Sequence, residues 1–218
     1  MRLLNAVIFD LDGVLVDSES VWDSVREQIT RECGGRWHDR AQRDMMGMSS
    51  LEWSHYMHEV LGVPMAPEEI SALVVERLME RYRRDLPLVP GAAETVRTLA
   101  AGWPLGLASS SNRPVIDLVL ELTELAPCFG NTVSSEEVDR GKPAPDVYLE
   151  AARGLEVDPE TCAAIEDSTN GIRSAKAAGM LVAAVPRQDF PPAPEALKLA
   201  DLVLDSLDEL PPALDRAA

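Results

Sequence analysis

Three short apolar runs in this chain break off abruptly at acids or hydroxyls, and that pattern narrows the fold more than any other feature. Asn5-Ala6-Val7-Ile8-Phe9 stops at Asp10, Pro104-Leu105-Gly106-Leu107-Ala108 at Ser109, and Cys162-Ala163-Ala164-Ile165 at Glu166-Asp167. A fourth run, Met180-Leu181-Val182-Ala183-Ala184-Val185, has the same character, and Asn131-Thr132-Val133 and Leu202-Val203-Leu204 are weaker versions. Runs without polar alternation mark strands buried on both faces, which occur in parallel sheets covered by crossover helices. Between them, residues 91–101 carry Ala92, Val96, Leu99 and Ala100 at helical spacing. Residues 146–153 and 168–178 also read as helices, the second closed by Gly179 in the manner of a C-terminal cap. From about residue 88 onward the alternation predicts an α/β fold, a Rossmann-like doubly wound parallel sheet with helices on both faces.

Residues 17–87 break this rhythm. They have almost no strand signal and three helix-like stretches, near 19–31, 50–61 and 67–84. The segment closes at Asp85-Leu86-Pro87-Leu88-Val89-Pro90-Gly91, where two prolines and a glycine interrupt regular structure. The expectation is a small all-helical cap, residues 17–87, inserted after strand one of a core made from residues 1–16 and 88–218.

Composition excludes several partners. The 218 residues are 46% hydrophobic and 26% charged, an ordinary globular balance able to bury a core. Net charge is −17 and no basic run exceeds Arg83-Arg84, so nucleic acid and anionic membrane surfaces are repelled. No apolar run approaches the ~18–20 residues of a membrane span. The N-terminus turns acidic too soon for a secretion signal, so the expectation is a cytoplasmic protein, a monomer or weak dimer. Cys33, Cys128 and Cys162 are odd in number and widely spaced, suiting neither a disulfide framework nor a zinc site.

Ligands of an open parallel sheet bind outside the carboxyl ends of the strands. Four segments deliver polar groups there: Asp10-Leu11-Asp12-Gly13, Ser109-Ser110-Ser111-Asn112, Glu166-Asp167-Ser168, and the loop Asp139-Arg140-Gly141-Lys142-Pro143. Clustered carboxylates repel one another unless a cation lies among them, and oxygen-only ligands favour Mg2+. A lysine with hydroxyls and helix N-terminal amides suits an anion such as phosphate. Ser111-Asn112 before Arg113-Pro114 reads as a helix start aimed at that anion. A carboxylate nucleophile shielded by Mg2+ is a route for phosphoryl transfer.

In these motifs the chain resembles the haloacid dehalogenase superfamily of phosphatases and mutases, in its branch with a helical cap close to β-phosphoglucomutase and phosphoglycolate phosphatase. Phe9-Asp10-Leu11-Asp12-Gly13-Val14-Leu15-Val16-Asp17-Ser18 is similar to its first motif, Ser109 to the second, Gly141-Lys142-Pro143 to the third and Glu166-Asp167 to the fourth. The resemblance implies that Asp10 attacks phosphorus and that Asp12 protonates the leaving oxygen, then activates water. It implies Mg2+ held by Asp10, the Asp12 carbonyl and Asp167 with Glu166 beside them, and a phosphoryl group held by Ser109 and Lys142, helped by Ser110 or Asn112. The substrate implied is a small phosphorylated metabolite.

Within the family, Asp12 argues against dehalogenation, since a halide needs no proton. Lys142, Lys176 and Lys198, the only lysines, all lie in the expected core, which excludes a phosphonate-cleaving cap lysine. Trp22 stands where the sugar-phosphate mutases have a cap histidine and Ser50 where they have an arginine, leaving Arg77, Arg81, Arg83 and Arg84 to replace them. A phosphatase is therefore favoured over a mutase. A non-catalytic phosphate sensor is disfavoured because the full set of acids is present. His55 and His58 share a helix face, yet neither they nor His38 have a third ligand in the pattern. Trp22, Trp37, Trp53 and Trp103 read as packing residues, as do Met45, Met46 and Met48 around Gly47, with a substrate-contacting lip as the alternative. Arg113 reads as solvated.

Overall fold

Buried on both faces, β1 (Ala6–Phe9) leads into four helices, α1 (Glu19–Glu32), α2 (Ala41–Met45), α3 (Ser50–Glu59) and α4 (Pro67–Arg84). The chain returns through α5 (Ala92–Ala100), β2 (Leu105–Ser109), α6 (Arg113–Leu122), β3 (Phe129–Ser134), α7 (Asp146–Gly154) and β4 (Cys162–Glu166). It ends with α8 (Thr169–Ala177), β5 (Leu181–Ala184), α9 (Pro194–Leu197), β6 (Leu202–Val203) and α10 (Leu210–Ala217). These elements come from a computed structural model that describes residues 3–46 and 48–217; the expectation for Gly47 lies outside the described residues.

All six strands are parallel, in the order β3-β2-β1-β4-β5-β6. The order reverses between β1 and β4, so the crevice of a doubly wound sheet opens at the ends of those two strands. Side-chain alternation divides the core in two. Val7, Phe9, Leu105, Leu107, Ala163 and Ile165 pack into one layer, and Ala6, Ile8, Ala108, Cys162 and Ala164 into the other, against α7 and α8. Because each strand is covered on both sides, its sequence lacks polar alternation.

The helical segment holds together by its own apolar stripes. Ile70, Val74, Leu78 and Tyr82 recur every fourth residue of α4 and are buried, meeting Trp22, Val25 and Ile29 of α1 and Trp53 and Met57 of α3. Helix α3 starts with a reciprocal cap: the Ser49 N–H donates to Glu52 at 2.7 Å and the Glu52 N–H donates to Ser49 Oγ at 3.4 Å. Two lengths of chain join these helices to the sheet and run side by side. The Asp17 N–H donates to the Pro87 carbonyl at 2.7 Å, the Val89 N–H donates to the Leu15 carbonyl at 2.9 Å, and Val16 bridges to Leu88. Among the described residues, no helix is long and apolar enough to cross a membrane.

Ile8 is fully buried at the centre of the sheet, whereas Val203 on the edge strand β6 is 52% exposed. Ile8→Ala should cost about 2–5 kcal/mol in urea unfolding through the cavity it leaves. Val203→Ala should cost less than about 0.5 kcal/mol. Equal losses at the two sites would contradict this placement of the core.

Candidate active site

Each polar group expected at the strand ends arrives there on a fixed support. Asp10 follows β1, and its N–H donates to the Ile165 carbonyl of β4 at 3.0 Å, which locks the nucleophile candidate to the central strand pair. The next residues turn sharply: the Gly13 N–H donates to the Val16 carbonyl and the Leu15 N–H to that of Leu11. Gly13 has φ +79°, and a Cβ there would collide with the Asp167 carboxylate. Only glycine lets the loop pass so close to that acid. Gly171 serves Glu166 in the same way, since a side chain there would occupy the space of the Glu166 carboxylate.

Asp10, Asp12, Ser110, Lys142 and Asp167 line one cleft of about 350 Å3, with Ser109 and Glu166 buried beneath it. Lys142 organises the floor. Its ammonium donates to Glu166 Oε1 at 2.7 Å and lies 2.9 Å from Asp10 Oδ1. The second contact is an ion pair, so one buried ammonium serves both carboxylates. Glu166 is saturated. Its Oε1 also accepts from the Tyr148 hydroxyl at 2.8 Å, and its Oε2 accepts from the Asp167 N–H, the Ser168 N–H and the Ser168 hydroxyl.

Three buried carboxylates thus share one ammonium. Burial, and next the charge of Glu166, push the Asp10 carboxyl up to about 8 against the pull of Lys142. Asp167 rises well above the usual carboxylate range, again through burial first and Glu166 second. For Lys142 burial works downward, but the carboxylates of Asp10 and Glu166 outweigh it and hold the ammonium above the ordinary lysine value. One oxygen each from Asp10, Glu166 and Asp167 lie within 4.8 Å of one another. Three carboxylates with hard oxygen donors around a single ammonium fit a divalent cation.

Asp12 faces the opposite wall. Its Oδ2 accepts from Ser111 Oγ at 2.7 Å and Ser109 Oγ at 3.3 Å, and its Oδ1 accepts from the Trp22 indole at 3.1 Å. The indole belongs to α1, so one residue of the helical segment holds the acid of the core. Sequence reasoning treated Trp22 as packing and Ser111 only as part of a helix start. The signal for Trp22 was its place one turn into the first helix, where the mutases carry histidine.

The remaining candidates separate. Asn112 precedes α6 but its side chain does not cap it; the amide donates to Glu136 Oε1 at 2.6 Å, and the residue lines a cavity with Asp12 and Ser110. Arg113 is not simply solvated, since it pairs with Glu137 at 2.7 Å and donates to the Thr132 carbonyl. Arg77 reaches Glu32 and Arg81 donates to Gln28, both away from the cleft. Three arginines that were not foreseen border Asp12: Arg43 and Arg187 line the main cleft with it, and Arg26 lines a smaller cavity beside it, its signal a basic residue four positions after Trp22 on the buried stripe of α1. His55 and His58 make local contacts with the Leu51 and Val63 carbonyls.

The family model described as haloacid dehalogenase-like hydrolase matches residues 4–179. Hexitol phosphatase B of Escherichia coli K12 is 35% identical over 218 residues, spanning 96% of this chain and 95% of that protein. The bifunctional riboflavin kinase/FMN phosphatase of Arabidopsis thaliana is 33% identical over 94% of this chain, which spans only 54% of that longer protein. Among solved structures, CbbY from Rhodobacter sphaeroides in complex with phosphate superimposes with a TM-score of 0.83 at 26% identity, covering 96% of this chain and 97% of that one.

The acid cluster sets a pH-dependent metal response. Asp10 has a folded value of about 8 against 3.8 for the free side chain, so the metal-free native state binds more protons than the unfolded chain between those limits. Metal-free stability therefore falls as pH rises through that window, and a cation must displace the Asp10 proton to bind. Mg2+ should raise the melting temperature by several degrees at about pH 8 and by much less at about pH 5.5. An equal shift at both pH values, or none, would contradict the cluster as drawn.

Proposed function

The chain belongs to the haloacid dehalogenase-like hydrolase family, and on that premise we propose that it is a Mg2+-dependent phosphatase of a small phosphorylated metabolite, such as a sugar phosphate. The observation that carries the reading is the meeting in one cleft of the buried Asp10 carboxylate, ion-paired with Lys142, and the carboxylate of Asp12. That meeting provides a nucleophile and a proton carrier on opposite walls. Asp10 forms a bond to phosphorus as the ester oxygen leaves, and Asp12 gives that oxygen its proton. Water then attacks the phosphoaspartate, Asp12 takes the water's proton, and Asp10 is freed with inorganic phosphate.

Lys142 neutralises charge on the transferring phosphoryl oxygens and keeps Asp10 in place. Ser109 and Ser110 supply donors to the same oxygens, with the Ser109 and Ser111 hydroxyls moving from Asp12 to phosphate as substrate enters. Asp10, the Asp12 backbone carbonyl and Asp167 are the groups assigned to Mg2+, with Glu166 holding Lys142 and the loop after β4. When bound, Mg2+ supplies positive charge to offset the phosphoryl oxygens and the acid cluster. Residues 17–87 act as a cap on the core of residues 1–16 and 88–218, excluding bulk water once substrate is bound. Donor-only Trp22 at Asp12 cannot shuttle a proton as an imidazole does, which supports hydrolysis over a mutase cycle.

Inorganic phosphate release should be measured on a panel of sugar and polyol monophosphates with Mg2+, with a chelator, and for Asp10→Asn. Release should require the metal and fall at least about a thousandfold in the variant. Isomerisation of a hexose 1-phosphate to its 6-phosphate, without phosphate release, would contradict the phosphatase reading.

A further inference from the structure

Behind the cleft, one aromatic ring lies against the lysine around which the site is built. Tyr148 of α7 is fully buried in the layer that holds Ala6, Ile8, Ala164 and Ala175. Its ring centroid is 5.0 Å from Lys142 Nζ, inside the ~6 Å reach of a cation–π contact. Its hydroxyl donates to Glu166 Oε1 at 2.8 Å, the same oxygen that accepts from Lys142 at 2.7 Å. Val147, Ala151 and Ala152 of the same helix are buried in that layer too and bring it only apolar surface. Packing there asks for a ring, which phenylalanine would supply equally well. The hydroxyl serves Glu166.

An ammonium has three N–H donors. Glu166 takes one, Asp10 Oδ1 lies 2.9 Å from the nitrogen, the Tyr148 ring covers another side, and the cleft is what remains. How strongly Glu166 draws the ammonium depends on what else its Oε1 holds. With the hydroxyl in place, a neutral donor shares the charge of that oxygen; without it, the charge turns on the lysine alone. Glu166 is not free to move in response. Its Oε2 accepts from the Asp167 N–H, the Ser168 N–H and the Ser168 hydroxyl, and the backbone at Gly171 closes against its carboxylate. The adjustment therefore falls on Lys142, toward Glu166 and at the expense of Asp10.

We propose that Tyr148 is a positioning residue for the phosphoryl-transfer step, its ring and hydroxyl together holding the Lys142 ammonium where it serves Asp10 and the phosphoryl oxygens rather than Glu166 alone. The inference rests on the phosphatase reading above and adds to it a residue that stands behind the cleft and not in its wall. A residue of this kind acts on the aim of the nucleophile more than on the capture of substrate, so its loss is read in kcat before KM.

Two measurements test it, one of them independent of turnover. In the first, phosphate release from p-nitrophenyl phosphate is followed for the wild-type protein, Tyr148→Phe and Val147→Ala, each with its melting temperature. Tyr148→Phe keeps the ring and removes the hydroxyl; kcat should fall at least about tenfold while KM changes less than about threefold. Val147→Ala removes buried surface one residue earlier on α7; it should lower the melting temperature and keep kcat within about twofold. In the second, nuclear magnetic resonance follows the ε-methylene protons of the chain's three lysines, Lys142, Lys176 and Lys198. Those of Lys142 should be displaced upfield by the Tyr148 ring and should move in Tyr148→Phe, while those of Lys176 and Lys198 stay. Wild-type kcat in Tyr148→Phe, an equal loss of kcat in Val147→Ala, or Lys142 signals that do not move would overturn the inference and leave the phosphatase reading standing. No release by the wild-type protein would overturn the phosphatase reading, and the Lys142 signals would still decide whether Tyr148 places the lysine.

Discussion

The site depends on one buried lysine placed among three buried carboxylates. Lys142 is 4% exposed, Glu166 not at all, and Asp10 8% by side chain, so none of these charges is relieved by bulk water. Burying ions is costly unless each is paired and its remaining hydrogen-bonding capacity is met. The chain meets that condition for Glu166 with donors from the Lys142 loop, α7 and the start of α8, tying three segments to the end of β4. Asp10 is met by the same ammonium, 2.9 Å away. Glu166 is thus the carboxylate that anchors the lysine from beneath, while Asp10 and Asp167 line the cleft itself.

A second coupling runs from Asp12 into the helical segment. Trp22 reaches down from α1 to Asp12, and its ring lies 6.0 Å from that of Trp53 on α3. The Asp12 carboxylate is thus braced by helices of the inserted segment. Chain paths at Val16 and Leu88, joined by backbone hydrogen bonds, are where those helices meet the sheet. Glu19 follows that junction by three residues and borders the same cleft as Asp10 and Asp12.

Much of this was legible in the sequence because burial on both faces leaves an unmistakable trace. The runs at Val7-Ile8-Phe9 and Ala163-Ala164-Ile165 have no polar alternation, and polarity begins where the strands end. Asp10, Asp12 and Asp167 were found by that rule and meet at one cleft with Lys142, which stood out instead as a loop lysine in a motif. The elements that escaped are short or begin irregularly: α2 has five residues, α9 has four, and α10 opens on Leu210-Pro211-Pro212. What sequence could not convey is which way an amphipathic side chain turns. Tyr148 of α7 drew no attention in the sequence; its ring is buried and its hydroxyl donates to Glu166. Asn112 sits at the start of α6, as its position suggests, yet Glu136 takes its amide. Arg26 shares a stripe with Trp22 and Ile29, and only the packing of α3 and α4 over α1 turns it into a cavity wall rather than a surface charge.

The central claim is that Asp10 is the covalent nucleophile. Acid-quenching the enzyme during turnover of a sugar or polyol monophosphate, reducing it with borohydride and sequencing the peptides by mass spectrometry tests this directly. A phosphoaspartate at Asp10 predicts homoserine at that position and nowhere else. Steady turnover with Asp10 recovered unmodified, or with the reduced residue at Asp12 or Asp167, would contradict the account.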